Sequence, residues 1–432
     1  MIGETAAASG AGRRSTGIPW WSVLLMIVVF YPPVLKPFAW LTGQAPWERG
    51  LTENVTEGSA MRQVQLALLG LVAIGRLGFR RKDQPVRAGP NVLGWLLIAF
   101  AALALASVLW SDERMLSVRR LVALAMVGLA AFAFRRMPGE EFLRLVFFTT
   151  FAALAFGLAR EVAAGRFQPW DPTYRFQGMY SNANTFGWTC VLVLLSGFPL
   201  VRGLRRWWPR VVLVIPLACL LLTRSRTALA AFLGAALFYA FLSLLRTRPA
   251  AFVASLFLAA TATVSVLWIG QTSSWLEDSI KLGRQESGMA TFQGRTYIWE
   301  EARVFVRARP WLGYGYDVFW SADRMEEFAR ILGWRNQNGH SNYVDVLLGL
   351  GYIGLFAFVS LLGIGIWRAC RVAVGSGNPA DLFTATLLVF CALHGFLETT
   401  LVSPCFLTLL YMTAVVRLGF PADPPVGGRL IH

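Results

Sequence analysis

The sequence predicts an all-α, polytopic integral membrane protein, on three observations. The 432 residues are 56% hydrophobic, with a mean hydropathy of +0.53. Only 15% are charged, too few for an ordinary soluble domain. Apolar runs of roughly 20 residues recur along the chain, the length that crosses a bilayer as helix.

These runs fall at 18–41, 62–80, 92–111, 118–134, 142–163, 185–201, 211–223, 226–245, 250–270, 342–367, 381–397 and 401–418, about twelve transmembrane helices. The first follows a polar segment, residues 1–17, and is itself span-length before Pro32 and Pro33, so no cleavable signal peptide is expected. Segment 211–223 is short enough to be a tilted neighbour or half-span. No internal repeat is evident, which weighs against an inverted-repeat transporter. The longest connection, about 271–341, is too rich in helix formers to be disordered. Within it, GRTYIWEEARVFVRARPWLGYGY (294–316) predicts a helix from about 296 to 309, stopped by Pro310 and the Gly313/Gly315 pair. A second short helix is expected over 321–334. The chain is thus read as one transmembrane domain, 1–432, with the 271–341 loop carrying part of its site.

Charge sets the orientation. The net charge is +16, and the 40 basic residues comprise 37 Arg and 3 Lys. The short loops 75–87, 135–144, 202–210, 246–248 and 368–371 are all basic and all lie on one side if the spans number twelve. By the positive-inside rule that side is cytoplasmic, together with both termini, and the 271–341 loop faces outward. Topology alone explains the inner basic loops, so nucleic-acid binding is not expected. The five cysteines mostly fall in apolar stretches without metal-ligand spacing and read as small core residues. Trp20, Trp21, Trp207 and Trp208 lie near span ends, as interfacial anchors do. Trp299, Trp311, Trp320 and Trp334 are expected to pack the loop, with stacking on sugar rings as the alternative.

Arginines on the outer side run against the topological bias. They cluster around Arg160, Arg166 and Arg175, in the turn TRSRT with Arg224 and Arg226, and along the 271–341 loop. Those of the loop helix, Arg303, Arg307 and Arg309, read as surface residues, with Glu300 and Glu301 as helix neighbours. Arg226 differs: it sits at the mouth of a span in a turn of a few residues, where an ionisable group lines a cavity or meets a ligand. An arginine-lined site at the bilayer surface suits an anionic lipid such as a polyprenyl pyrophosphate, because guanidinium forks grip phosphate oxygens bidentately.

NGHSNY (338–343) sits where the loop enters the next span, and it contains one of only three histidines. The positive end of that helix and the nearby arginines disfavour the imidazolium form of His340. A neutral ring can accept a proton from an attacking hydroxyl. Asn338, Ser341 or Asn342 can cap the helix and orient the ring. His394, by contrast, reads as a satisfied core histidine.

Four segments, in order, resemble the O-antigen ligase family. RFQGMYSNANTFG (175–187) resembles its Arg-x-x-Gly…Asn-x-Asn element, and LLTRSRTALAAFLGA (221–235) its Ser-Arg-Thr element opening a span. GRTYIW with ARPWLGYGYDVF (294–319) resembles its Gly-Arg, Trp and Pro-x-x-Gly-x-Gly elements, and GHSNYVDVLLGLGYIGL (339–355) its His-Ser/Asn-Tyr signature. The resemblance implies an inverting glycosyltransferase of the bacterial inner membrane, with a periplasmic active site and no cofactor or metal. It would move a glycan from undecaprenyl pyrophosphate to a sugar of lipid A–core. By matching position, His340 would activate the acceptor hydroxyl, and Arg295 and Arg226 would hold the pyrophosphate. Arg224, Arg175, Tyr343 and Glu398 would be further substrate contacts. The family often has His-Asn directly where this chain has His340-Ser341-Asn342, and an acidic residue near Gly349 that is absent here.

An O-antigen polymerase or protein O-oligosaccharyltransferase would share donor and topology and differ in acceptor. A transporter or flippase of an anionic lipid would instead show charge recurring in mid-span, and spans such as 92–111 and 250–270 carry none.

Overall fold

The computed structural model describes residues 20–31, 60–78, 89–180, 182–202, 208–247, 295–334 and 336–421. Among these residues there are helices and connecting turns and no strands. The first half comprises α1 (Trp20–Phe30), α2 (Ala60–Gly78), α3 (Val92–Ala106), α4 (Arg114–Phe134), α5 (Gly139–Ala163), α6 (Ala183–Arg202) and α7 (Trp208–Val211). The second comprises α8 (Val214–Thr223), α9 (Arg226–Thr247), α10 (Arg295–Ala308), α11 (Ala322–Leu332), α12 (Asn342–Ser376), α13 (Pro379–Leu397) and α14 (Phe406–Gly419).

Eight of these helices are long and apolar enough to cross a membrane: α2, α3 with its 3-10 extension to Leu109, α4, α5, α6, α9, α12 and α13. The apolar helices α1, α8 and α14 are shorter. Eleven of the twelve apolar segments thus coincide with a helix, and the twelfth, 250–270, lies outside the described residues. The chain is a multi-pass membrane protein. Segment 211–223 is broken: α7 ends at Val211 and α8 starts at Val214, two residues before Pro216.

α6 and α13 are the most enclosed spans, with 78% and 67% of their apolar windows buried against 22% for α9. They form the centre of the bundle. α6 packs on α5, α8, α9 and α13, and α13 packs on α5, α6, α9, α12 and α14. Three of their hydroxyls are satisfied within the helix: Ser196 donates to Leu192 O at 2.5 Å, Thr384 to Ala380 O and Thr386 to Leu382 O at 2.8 Å. All five cysteines are free thiols.

The loop helices appear where the sequence expects them, at Arg295–Ala308 and Ala322–Leu332. They gather a smaller core of Ile298, Val306, Tyr314, Phe319, Trp320 and Phe328 against Leu348 of α12. Trp320 is buried there as the packing expectation requires, whereas Trp311 and Trp334 are exposed. Residues 271–294 of the connection lie outside the described residues.

α12 is longer than its apolar segment and is broken at Gly351 (φ 64, ψ −165). The glycines on both sides of the break let two backbones meet. Tyr314 N donates to Leu348 O at 2.9 Å, Gly315 N to Gly349 O at 2.8 Å, and Tyr352 N to Pro310 O at 2.8 Å. A Cβ on Gly351 would lie 2.2 Å from the Trp311 carbonyl carbon, and one on Gly313 2.5 Å from Leu348 O. The Pro-x-x-Gly-x-Gly element and the glycine at the break therefore dock the loop onto the broken helix, which frees carbonyls that loop amides then satisfy. This docking fixes the first turns of α12, and with them His340.

Candidate active site

Five helices and one loop converge on the carboxylate of Glu398, the residue that ends α13 in extended conformation (φ −146, ψ 142). Its Oε1 accepts from Arg295 Nη2 at 2.6 Å and from Asn184 Nδ2 at 2.8 Å. Its Oε2 lies 4.0 Å from His340 Nδ1, which itself makes no hydrogen bond. Asn184 stands in the first turn of α6, and its Oδ1 accepts from Arg175 Nη2 at 3.1 Å. Arg175 is anchored at its other side by donation from Nε to Thr223 O at 3.3 Å. Arg226 opens α9, close enough to Arg295 to act on it electrostatically.

Several local features hold these groups in place. Arg295 is the first residue of α10 and is buried. His340 has a left-handed backbone (φ 48), uncommon for a residue with a side chain. Its N–H donates to Asn338 Oδ1 at 3.0 Å, and the preceding carbonyl, Gly339 O, accepts from Trp299 Nε1 at 2.7 Å. Ser341 caps α12, with its hydroxyl accepting from Val344 N, as the motif suggests. The loop bearing Arg175 is fastened to α5: Glu161 accepts from Gln177 N at 2.7 Å, Gly178 N at 2.6 Å and the Tyr174 hydroxyl, and Arg160 donates to Gly178 O at 3.1 Å. Arg160 thus anchors this loop.

The electrostatics are asymmetric. Burial pushes the Glu398 carboxyl up, but His340, Arg295 and His394 outweigh it and hold the group below its usual range. Burial lowers the affinity of Arg295 for its proton, Glu398 opposes this, and Arg226 adds to it. Arg295 pairs with the carboxylate directly, Arg175 reaches it through Asn184, and Arg226 lies close to Arg295, so guanidinium groups gather where an anion could be received. His340 keeps 34% of its side chain exposed, so its ring is open to a hydroxyl.

The sequence-predicted residues divide. His340, Arg295, Arg226, Arg175 and Glu398 come together. Arg224, also left-handed (φ 50), turns instead to the carbonyls of Pro172 and Asp171. Tyr343 donates its hydroxyl to Ala392 O at 3.0 Å and packs its ring on Phe358 and Phe396, a contact between α12 and α13. His394 is fully buried and stacked on Phe390 at 5.2 Å, as a core residue is, but neither ring nitrogen makes a hydrogen bond, so it is not the satisfied histidine expected. Sequence reasoning missed Asn184 as a member of the cluster, although it lies in the quoted Asn-x-Asn element. It also missed Asn342 and Asp345 as the residues that fasten the Glu398 segment. Asn342 Oδ1 accepts from Thr400 N at 2.8 Å and Leu401 N at 2.9 Å. Their place three to six residues after Gly339 in the first turn of a span was the available signal, since a polar side chain there must find a partner.

Residues 211–359 match the family profile described as O-antigen ligase. The chain is also 24% identical over 339 residues to the exopolysaccharide production protein ExoQ of Rhizobium meliloti (strain 1021), a span of 74% of this chain and 75% of that protein. The matched profile contains Arg226, Arg295 and His340, while Arg175, Asn184 and Glu398 join them from outside it. The chain therefore carries an O-antigen ligase family domain over residues 211–359, as its motifs suggested.

Proposed function

We propose that this protein is an O-antigen ligase of the bacterial inner membrane, with both termini cytoplasmic and its site on the periplasmic face. The observation that carries the reading is the convergence at Glu398 of His340 and Arg295, with Arg175 reached through Asn184 and Arg226 close to Arg295, at the ends of membrane helices. An acceptor sugar hydroxyl of lipid A–core attacks the anomeric carbon of a glycan linked to undecaprenyl pyrophosphate. The bond from that carbon to the pyrophosphate oxygen breaks as the new glycosidic bond forms, with inversion. Glu398 beside Nδ1 favours the tautomer protonated there, so Nε2 of His340 takes the hydroxyl proton. The pyrophosphate leaves with the bonding electrons, and Arg295, Arg226 and Arg175 neutralise its charge. One base and one anion site suffice, without the carboxylate pair of a hydrolase. In this reading arginines serve where other transferases use a divalent ion, so activity persists in EDTA; loss in EDTA with recovery on added magnesium would refute that.

A second reading has a specific observation in its favour. ExoQ, by its name, serves exopolysaccharide production, and its similarity extends well beyond the ligase profile. A polymerase would use the same arginines and histidine with a second lipid-linked glycan as acceptor. The deciding experiment supplies purified protein with undecaprenyl-pyrophosphate-linked glycan and lipid A–core in EDTA, wild type beside His340→Ala. Glycan on lipid A–core, lost in the folded variant, supports the ligase. Lengthening on the polyprenyl carrier makes the protein a polymerase. No transfer to either, with the lipid still bound, would leave a transporter of anionic lipid.

A further inference from the structure

We infer that Asp345 is a positioning residue that sets the separation of His340 and Glu398, acting through Gly339 on one side and Thr399 on the other. The inference rests on the transferase reading of the site. Asp345 lies in the first turn of α12 with its side chain buried. Its Oδ1 accepts from Gly339 N at 2.8 Å and from Trp320 Nε1 at 2.8 Å, and its Oδ2 accepts from the Thr399 hydroxyl. Gly339 immediately precedes His340, and Thr399 immediately follows Glu398. One carboxylate therefore ties the turn that carries the base to the segment that carries its partner. It also ties both to the loop, through Trp320.

The geometry leaves little slack. A Cβ on Gly339 would lie 2.7 Å from Asp345 Oδ1, so the glycine lets the carboxylate reach the backbone. His340 is held in the left-handed region directly after this contact, a conformation that persists only where its surroundings impose it. The contact it serves, His340 Nδ1 to Glu398 Oε2, stands at 4.0 Å, where a small displacement separates an ionic hydrogen bond from none. A buried carboxylate that accepts from three donors on three segments is a rigid strut, because each bond restrains a different direction. Asp345 touches none of the groups assigned to the reaction, so its effect falls on their alignment.

The test removes one tie and leaves the rest. Thr399→Val keeps the shape of the side chain and deletes its donation to Asp345. The neighbouring Thr400→Val is the control, since the buried Thr400 hydroxyl makes no hydrogen bond. Misalignment of the base lowers kcat about tenfold or more in Thr399→Val with KM for both substrates unchanged. Thr399→Ser restores it, and Thr400→Val behaves as wild type. Thr399→Ala carries the same reading if valine is not accommodated. A second readout does not need turnover. The chain has only three histidines, so nitrogen NMR of histidine-labelled protein resolves the His340 ring. Its resonances shift in Thr399→Val and not in Thr400→Val. Wild-type kcat and an unshifted His340 in Thr399→Val would overturn the inference, as would an equal loss in Thr400→Val. If wild type itself transfers nothing, the transferase reading falls, and the His340 resonances alone decide whether Asp345 positions that ring.

Discussion

Two carboxylates outside the membrane-spanning segments are set in similar surroundings and behave in opposite ways. Glu398 and Asp317 are both largely buried, with side chains 12% and 14% exposed, and each is paired with an arginine. Asp317 meets Arg120 at 3.3 Å and the Ser403 hydroxyl, with Arg62 as a second, weaker cation. Burial pushes its carboxyl up, and Arg120, Ser403 and Arg62 only partly offset that. Glu398 is just as enclosed, yet His340, Arg295 and His394 hold its carboxyl down. A buried ion pair is thus not by itself a mark of function. What separates the two places is the company each carboxylate keeps: Glu398 has Arg295 and two histidines close enough to outweigh its burial, and Asp317 does not.

The widest gap between the two places should appear in activity. His340→Ala is expected to lower turnover about a thousandfold, as loss of a general base does. Arg295→Ala is expected to cost about a hundredfold or more, since it removes one charge from the leaving-group site and strands Glu398. Both are measured by transfer of lipid-linked glycan in detergent. Arg120→Ala should do the reverse: it breaks a buried pair and costs about 3 kcal/mol of stability. The fraction that remains folded keeps wild-type kcat. Thermal unfolding alongside transfer assays checks both halves, and a kcat loss in Arg120→Ala as deep as in Arg295→Ala would erase the distinction.

The sequence makes the helices legible and the joints much less so. Apolar runs and the Pro310 stop placed α10 to within a residue, because hydrophobic length and backbone chemistry are local properties. The same logic missed the break at Gly351. An apolar run looks continuous whether or not one of its glycines turns left-handed, and only the loop backbone packed against Trp311 and Leu348 shows why it must. His340 and Arg226 stood out because charge at a span mouth is costly. Asn184 and Asp345 did not stand out, since an amide or a lone carboxylate gains meaning only from partners distant in sequence. Asn184 lies 214 residues from Glu398 along the chain.

A smaller effect, and a sharper one, is expected from Glu398→Gln. The amide still accepts from Arg295 and Asn184, but it no longer presents a negative charge to His340 Nδ1. Turnover near neutral pH should fall about tenfold with donor binding retained. The pH dependence of stability carries the sign. Because the folded carboxyl titrates below its ordinary value of 4.5, ionised Glu398 contributes stability above that pH. The contribution is lost as pH falls through the lower folded value. Unfolding followed from neutral to acid pH should therefore show a decline in wild type that is shallower in Glu398→Gln.

The smallest effect is expected at Asp317, and it should have the opposite slope. Its folded carboxyl titrates above the ordinary 3.8, so the native state holds the proton more tightly than the unfolded chain does. Its contribution is greatest below 3.8 and declines as pH rises toward the folded value. Asp317→Asn removes that decline. Asparagine also tolerates the left-handed backbone at this position (φ 57), and its amide oxygen can still accept from Arg120 and Ser403. The net change near neutral pH is therefore expected to stay within about 1 kcal/mol, with kcat unchanged. Stability curves of the two variants, each subtracted from wild type, should bend in opposite directions across the acid range. Curves of the same sign would mean that His340 and Arg295 do not govern the ionisation of Glu398.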